Sequence, residues 1–112
     1  MFKKQIKAAV NDGQVLDRHF RRITDRFAQF PAWNITEALG RCTLRFFDTT
    51  PISPSGRYLA VTRLASDSRV PEAGEPAEII LLDLLNGQSK TIALSHCWDA
   101  QLGAQVQWGR TD

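Results

Sequence analysis

The chain has 112 residues, of which 43% are hydrophobic, 23% charged and 9% aromatic, the composition of a soluble globular protein with room for one domain. Lys and Arg number 14 against 12 Asp and Glu, a net charge of +2, which excludes a general electrostatic footprint for nucleic acid or a membrane surface. The balance is uneven: residues 1–45 carry nine basic and four acidic side chains, and residues 46–112 carry five and eight.

The first residues, Met1 to Gly13, start basic, but the apolar run after Lys7 is only Ala8, Ala9 and Val10. That is too short for a secretory signal core. No stretch has the 18 or so apolar residues of a membrane span, since even Ile79 to Leu85 contains Asp83. Cys42 and Cys97 lie far apart and outside any C-x-x-C spacing, so both read as reduced thiols of a cytoplasmic protein.

From Val15 to Phe30, Leu16, Phe20, Ile23, Phe27 and Phe30 recur at steps of four and three. This period predicts an N-terminal amphipathic helix that Pro31 ends. Its other face, with Arg18, Arg21, Arg22 and Arg26, reads as a solvated basic strip. The β-branched and aromatic residues of Arg22 to Phe27 also suit an edge strand. Residues 31–45 show no sustained period and read as a connection.

Beyond Arg45 the period becomes that of strands. Phe46 to Ser53 is the first. Ser53-Pro54-Ser55-Gly56 follows, with serine, proline and glycine where a type I turn favours them. Arg57 to Leu64 is the second strand. Glu78 to Leu85, nearly continuous in apolar residues, is a third that is buried on both faces. Asn86-Gly87 is a hairpin signal, and Ser89 to Leu94 returns as the fourth. The fold class is therefore mainly β, a four-stranded antiparallel meander behind a helix. A sheet with a strand buried on both faces must stack between neighbours, the logic of a propeller blade. Ala104 to Asp112 reads as the first strand and turn of another blade, so that Ile52 to Gly56 corresponds to Trp108 to Asp112 at a spacing of 56 residues.

The run Pro51 to Ala60, with Ile79-Ile80-Leu81-Leu82-Asp83-Leu84 and Asn86-Gly87, resembles the repeat of TolB-like β-propellers. Residues 98–108 are similar to a segment of the oligogalacturonate-lyase-like branch. Ser55 stands where the repeat has aspartate, Ile52 where it has an aromatic, and Gly109-Arg110 where it has Ser-Pro. The resemblance implies a propeller but no activity. The lyases of that branch bind a metal through histidines and a glutamine of later blades, and no position here matches them. No cofactor is expected in this chain.

A closed propeller needs at least about four blades. The expected organisation is thus a helical and connecting segment (1–45), one blade (46–94), and a linker with the first strand of an incomplete second blade (95–112), together the N-terminal fragment of a larger protein. Its partners are then the remaining blades, and a protein or an acidic small molecule. Taken alone, such a fragment exposes both faces of its third strand. The alternative is a self-sufficient domain in which the helix folds over the sheet.

In a meander the first and third connections share one end and the second and the exit linker share the other. The second end gathers the long loop Ala65 to Ala77, with Asp67, Arg69, Glu72 and Glu75, and the linker Ser95 to Gln101. Long loops on a rigid scaffold concentrate binding residues, so the candidate ligand-binding residues are Asp48, Arg69, His96, Trp98, Asp99 and Gln101. His96, Cys97 and Asp99 crowd within four positions and do not converge on one metal ion. Trp98 and Trp108 suit packing between blades better than a sugar platform, and Arg57 and Arg69 suit either surface pairs or the carboxylates of a ligand. The functional expectation is a propeller scaffold that binds a partner or small ligand. The rival is part of a lyase or hydrolase acting on acidic oligosaccharide or peptide, with its catalytic groups downstream.

Overall fold

The computed structural model describes residues 13–24, 30–45, 48–66 and 68–112. In chain order it has a short helix α1 (Leu16–His19), strands β1 (Arg21–Ile23) and β2 (Ala32–Asn34), a single 3-10 turn (Glu37–Leu39), then β3 (Cys42–Thr43), β4 (Tyr58–Arg63), β5 (Ala77–Asp83) and β6 (Ser89–Ser95). β1 and β2 form a two-stranded antiparallel ribbon, and β3-β4-β5-β6 an antiparallel meander in that order. The fold is mainly β.

The expected amphipathic helix from Val15 to Phe30 is not formed. α1 stops at His19, and Phe20 turns to extended backbone at φ −130° and ψ 147°. Arg21–Ile23 then pair with Ala32–Asn34. The β-branched and aromatic side chains here lose rotamer freedom in a helix, and pairing satisfies their backbone groups instead. Of the described residues of the predicted stripe, Leu16 and Phe20 pack against the core, whereas Ile23 and Phe30 are 47% and 79% exposed. Arg26 and Phe27 lie outside the described residues.

The meander follows the expected order with shifted bounds. Its first strand pairs through Cys42 and Thr43, opposite Arg63 and Thr62, and meets β4 again only at a bridge between Ile52 and Leu59. Phe46 and Phe47, in the expected first strand, lie outside the described residues. The turn at Ser53 closes as predicted, the Gly56 amide donating to the Ser53 carbonyl at 2.8 Å with Gly56 at φ 79°. Asn86-Gly87 does not make a two-residue hairpin. β5 ends at Asp83 because the Asp83 carboxylate accepts the Leu85 amide at 2.8 Å, and the buried side chain of Leu84 joins the core. A longer loop results, with the Gly87 amide donating to the Asp83 carbonyl at 2.8 Å.

Successive residues of a strand face opposite sides of the sheet. One face carries Leu59, Val61, Ile80 and Leu82, the centre of the core, and is covered by Leu16, Phe20, Ile35 and Leu39 of the N-terminal segment. Burying each such side chain stabilises by about 1.5–3 kcal/mol. The other face, with Tyr58, Ala60 and Thr62, lies under the C-terminal segment. There Ala104 donates its amide to Thr62 Oγ1 at 3.0 Å, and Thr43 Oγ1 donates to the Gln101 carbonyl at 3.1 Å. The fit is close at Gly103 (φ +59°), where an added Cβ would sit 2.5 Å from Thr62 Oγ1. The expectation that β5 exposes both faces is thus corrected: short segments before and after the sheet cover them, while β6 stays exposed from Ser89 to Leu94.

Candidate functional site

The sheet end at which Arg63 leads into residues 64–76, and Ser95 into the linker, holds most of the candidate residues. The long loop is closed by Glu75. Its carboxylate accepts from the Glu72 amide at 3.0 Å and from Arg69 Nη1 at 2.9 Å, with Arg69 Nη2 on its other oxygen. The hydrogen bonds from Arg69, and after them the Glu72 amide, hold the Glu75 carboxyl below its ordinary pKa. Asp67 lies outside the described residues.

The linker is tied to that loop through backbone carbonyls. Trp98 Nε1 donates to the Glu75 carbonyl at 2.6 Å, and His96 Nδ1 lies 2.9 Å from the Gly74 carbonyl. A carbonyl only accepts, so Nδ1 carries the proton in this contact. Asp99 folds the following turn, its Oδ1 accepting the amides of Gln101 at 2.8 Å and Leu102 at 2.7 Å. Gln101 is held by its own carbonyl on Thr43. Arg69, His96 and Trp98 therefore share one knot, with Asp99 and Gln101 in the next turn.

Asp48 stands apart. It pairs with Arg45 at 3.7 Å and is more than half exposed, and Arg45 also contacts the Gln107 side chain. Among the described residues no group of three His, Cys, Asp or Glu side chains is placed to hold a metal ion. Cys97 is exposed, and Cys42 is packed against the core without a disulfide between them.

The opposite, turn-rich end carries more than its short connections announce. Arg57 donates to Asp83 Oδ2 from Nε at 3.0 Å and from Nη2 at 2.7 Å, and its guanidinium lies 5.0 Å from the Tyr58 ring centroid. Burial opposes ionisation of Asp83 most strongly as a single effect, but Arg57 and the amides of Leu85 and Asn86 outweigh it and hold the carboxyl below its ordinary value. Beside the pair lies a cleft of about 250 Å³ lined in part by Tyr58, Leu81 and Lys90. Arg57 and Arg69, the two arginines considered for ligand carboxylates, are each engaged by a carboxylate of the chain.

The C-terminal residues run beside residues 51–58. Trp108 stacks on Tyr58 with centroids 6.5 Å apart and donates its Nε1 to the Pro51 carbonyl at 2.7 Å. The Ser55 amide donates to Asp112 Oδ1 at 3.0 Å, and the Ser55 hydroxyl contacts the same carboxylate. Both links join residues 57 positions apart. Among the described residues no helix is long and apolar enough to cross a membrane. Compared with known protein families, curated proteins and solved structures, the chain matches none.

Proposed function

We propose that the meander is one blade of a TolB-like β-propeller and that it serves as a binding scaffold, its loop-rich end presenting the surface for a small ligand. The observation that carries this reading is the agreement of two spacings. The sequence correspondence between Ile52–Gly56 and Trp108–Asp112 has a period of 56 residues, and the contacts Trp108–Pro51 and Asp112–Ser55 have a separation of 57. Equivalent pieces of successive repeats would lie side by side in this way around a propeller axis.

The ligand surface is the knot of residues 69–75 and 95–101. A half-exposed indole at Trp98, with exposed His96, Asp99 and Gln101 around it, combines an apolar platform with hydrogen-bonding groups, the mix that holds a sugar ring. His96 Nε2 has no partner acid or base among the described residues, which favours binding over turnover.

Trigalacturonate is the probe, because acidic-sugar lyases are the rival. Amide shifts of the isotope-labelled chain that saturate at 69–75 and 95–101, with the trisaccharide recovered intact, are the expected result. Unsaturated cleavage products, shifts confined to 53–57 and 86–89, or no saturable shift at all would each reject the reading.

A further inference from the structure

Among the described residues five arginines are matched by carboxylates: Arg21 by Glu37, Arg45 by Asp48, Arg57 by Asp83, Arg63 by Glu78 and Arg69 by Glu75. Arg41 departs from that pattern. Among the described residues its guanidinium has no ion pair or hydrogen bond, and it lines a cleft of about 330 Å³ with Arg63, Ser66 and Glu78. Arg18, Arg22 and Arg110 are exposed and also lack a carboxylate, but Arg22 lies over the Trp33 ring and none of the three lines this cleft.

The two arginines lie at one end of the sheet, where both line the cleft. Cys42 is opposite Arg63, and the Leu64 amide donates to the Arg41 carbonyl at 2.9 Å, so Arg41 and Arg63 sit on adjacent rungs. The charge of Glu78 is already committed. One oxygen pairs with Arg63, and the other accepts from the Thr91 hydroxyl at 3.4 Å. That contact fixes the Arg63 side chain and leaves Arg41 as the cation in excess. A planar guanidinium presents two parallel N–H groups, the geometry that carboxylate and phosphate oxygens accept best.

We infer that this cleft is an oxyanion site: Arg41 takes a carboxylate or phosphate group in a bidentate grip, and the Arg63–Glu78 pair forms the polar wall beside it. The inference stands whether or not the sheet is a propeller blade, and its residues are separate from the knot at 69–75 and 95–101.

The test is an amide-shift titration of the labelled 112-residue chain at low ionic strength, where such contacts are least screened, with inorganic phosphate in one arm and succinate in the other. Saturable shifts at 40–42 and 63–66 with a Kd of about 1 mM or tighter are expected in at least one arm, and the responding arm identifies the source as phosphate or carboxylate. Arg41→Gln, an exposed change that leaves the core intact, should weaken binding by about tenfold or more, and Arg41→Lys should not restore it fully. Arg63→Gln with Glu78→Gln, which removes the wall without stranding a charge, should weaken it less. No saturable response in either arm, equal binding by Arg41→Gln, or shifts spread over Arg18 and Arg110 would overturn the site.

Discussion

β5 and β6 are adjacent strands of equal length, seven residues each, and they meet opposite fates. β5 is buried or half-buried throughout, whereas Ser89 to Leu94 of β6 are all exposed, with Ile92 at 51% and Leu94 at 61%. Position in the sheet explains only part of this. The cover on one face comes from Leu16, Phe20, Ile35 and Leu39, and on the other from the segment around Gly103 and Trp108. β6 protects its own edge in two ways. Lys90 places a charge there, and the register shift between Ile79 and Ile80 sets Ile92 in a bulge, both of which discourage edge-to-edge pairing.

The strongest way to break the contrast is a cavity in β5. Ile80→Ala, at a side chain 1% exposed, should cost about 3–4 kcal/mol in chemical denaturation. Removing the N-terminal cover should cost slightly less: Phe20→Asp forces a carboxylate against the apolar core, a loss of about 2–3 kcal/mol. An unchanged midpoint would mean that this segment does not pack there. On the other face, Gly103→Ala combines a left-handed backbone with a Cβ 2.5 Å from Thr62 Oγ1. A loss of about 2 kcal/mol is expected, with a change in Trp108 fluorescence as the segment lifts.

Acid provides a weaker probe. Asp83 and Glu75 both have carboxyl groups held below their ordinary values. Their contributions are complete above the unfolded-state values near pH 4 and are lost as pH falls through the lower folded ones. The unfolding midpoint should therefore fall below about pH 4, and Asp83→Asn should flatten that slope. Smallest of all, Ile92→Thr on β6 should change stability by less than about 0.5 kcal/mol.

Sequence reading reached the strands and missed their cover. Alternation in Tyr58 to Arg63 and the apolar run from Ile79 to Leu85 report burial directly, and Ser53-Pro54-Ser55-Gly56 carries its turn in its residue types. The N-terminal segment misleads because Leu16 and Phe20 do share a helical face. The same spacing then continues by coincidence through Ile23 and Phe30, which point to solvent. At the candidate site, Arg69, His96 and Trp98 were legible as loop residues. What joins them is the backbone carbonyls of Gly74 and Glu75, and a carbonyl leaves no mark in a sequence. Arg41 stands out only once Arg63, beside it in the cleft, is seen with its carboxylate.

Native-state hydrogen exchange on the intact 112-residue chain tests the central claim most directly, since it reads protection residue by residue. Amides of Leu59 to Arg63 and Ile79 to Leu82 should survive longest and together, and the outward-facing amides of β6 should exchange quickly. Exchange of β5 as fast as that of β6 would show that the terminal segments do not cover the sheet, and would contradict that claim.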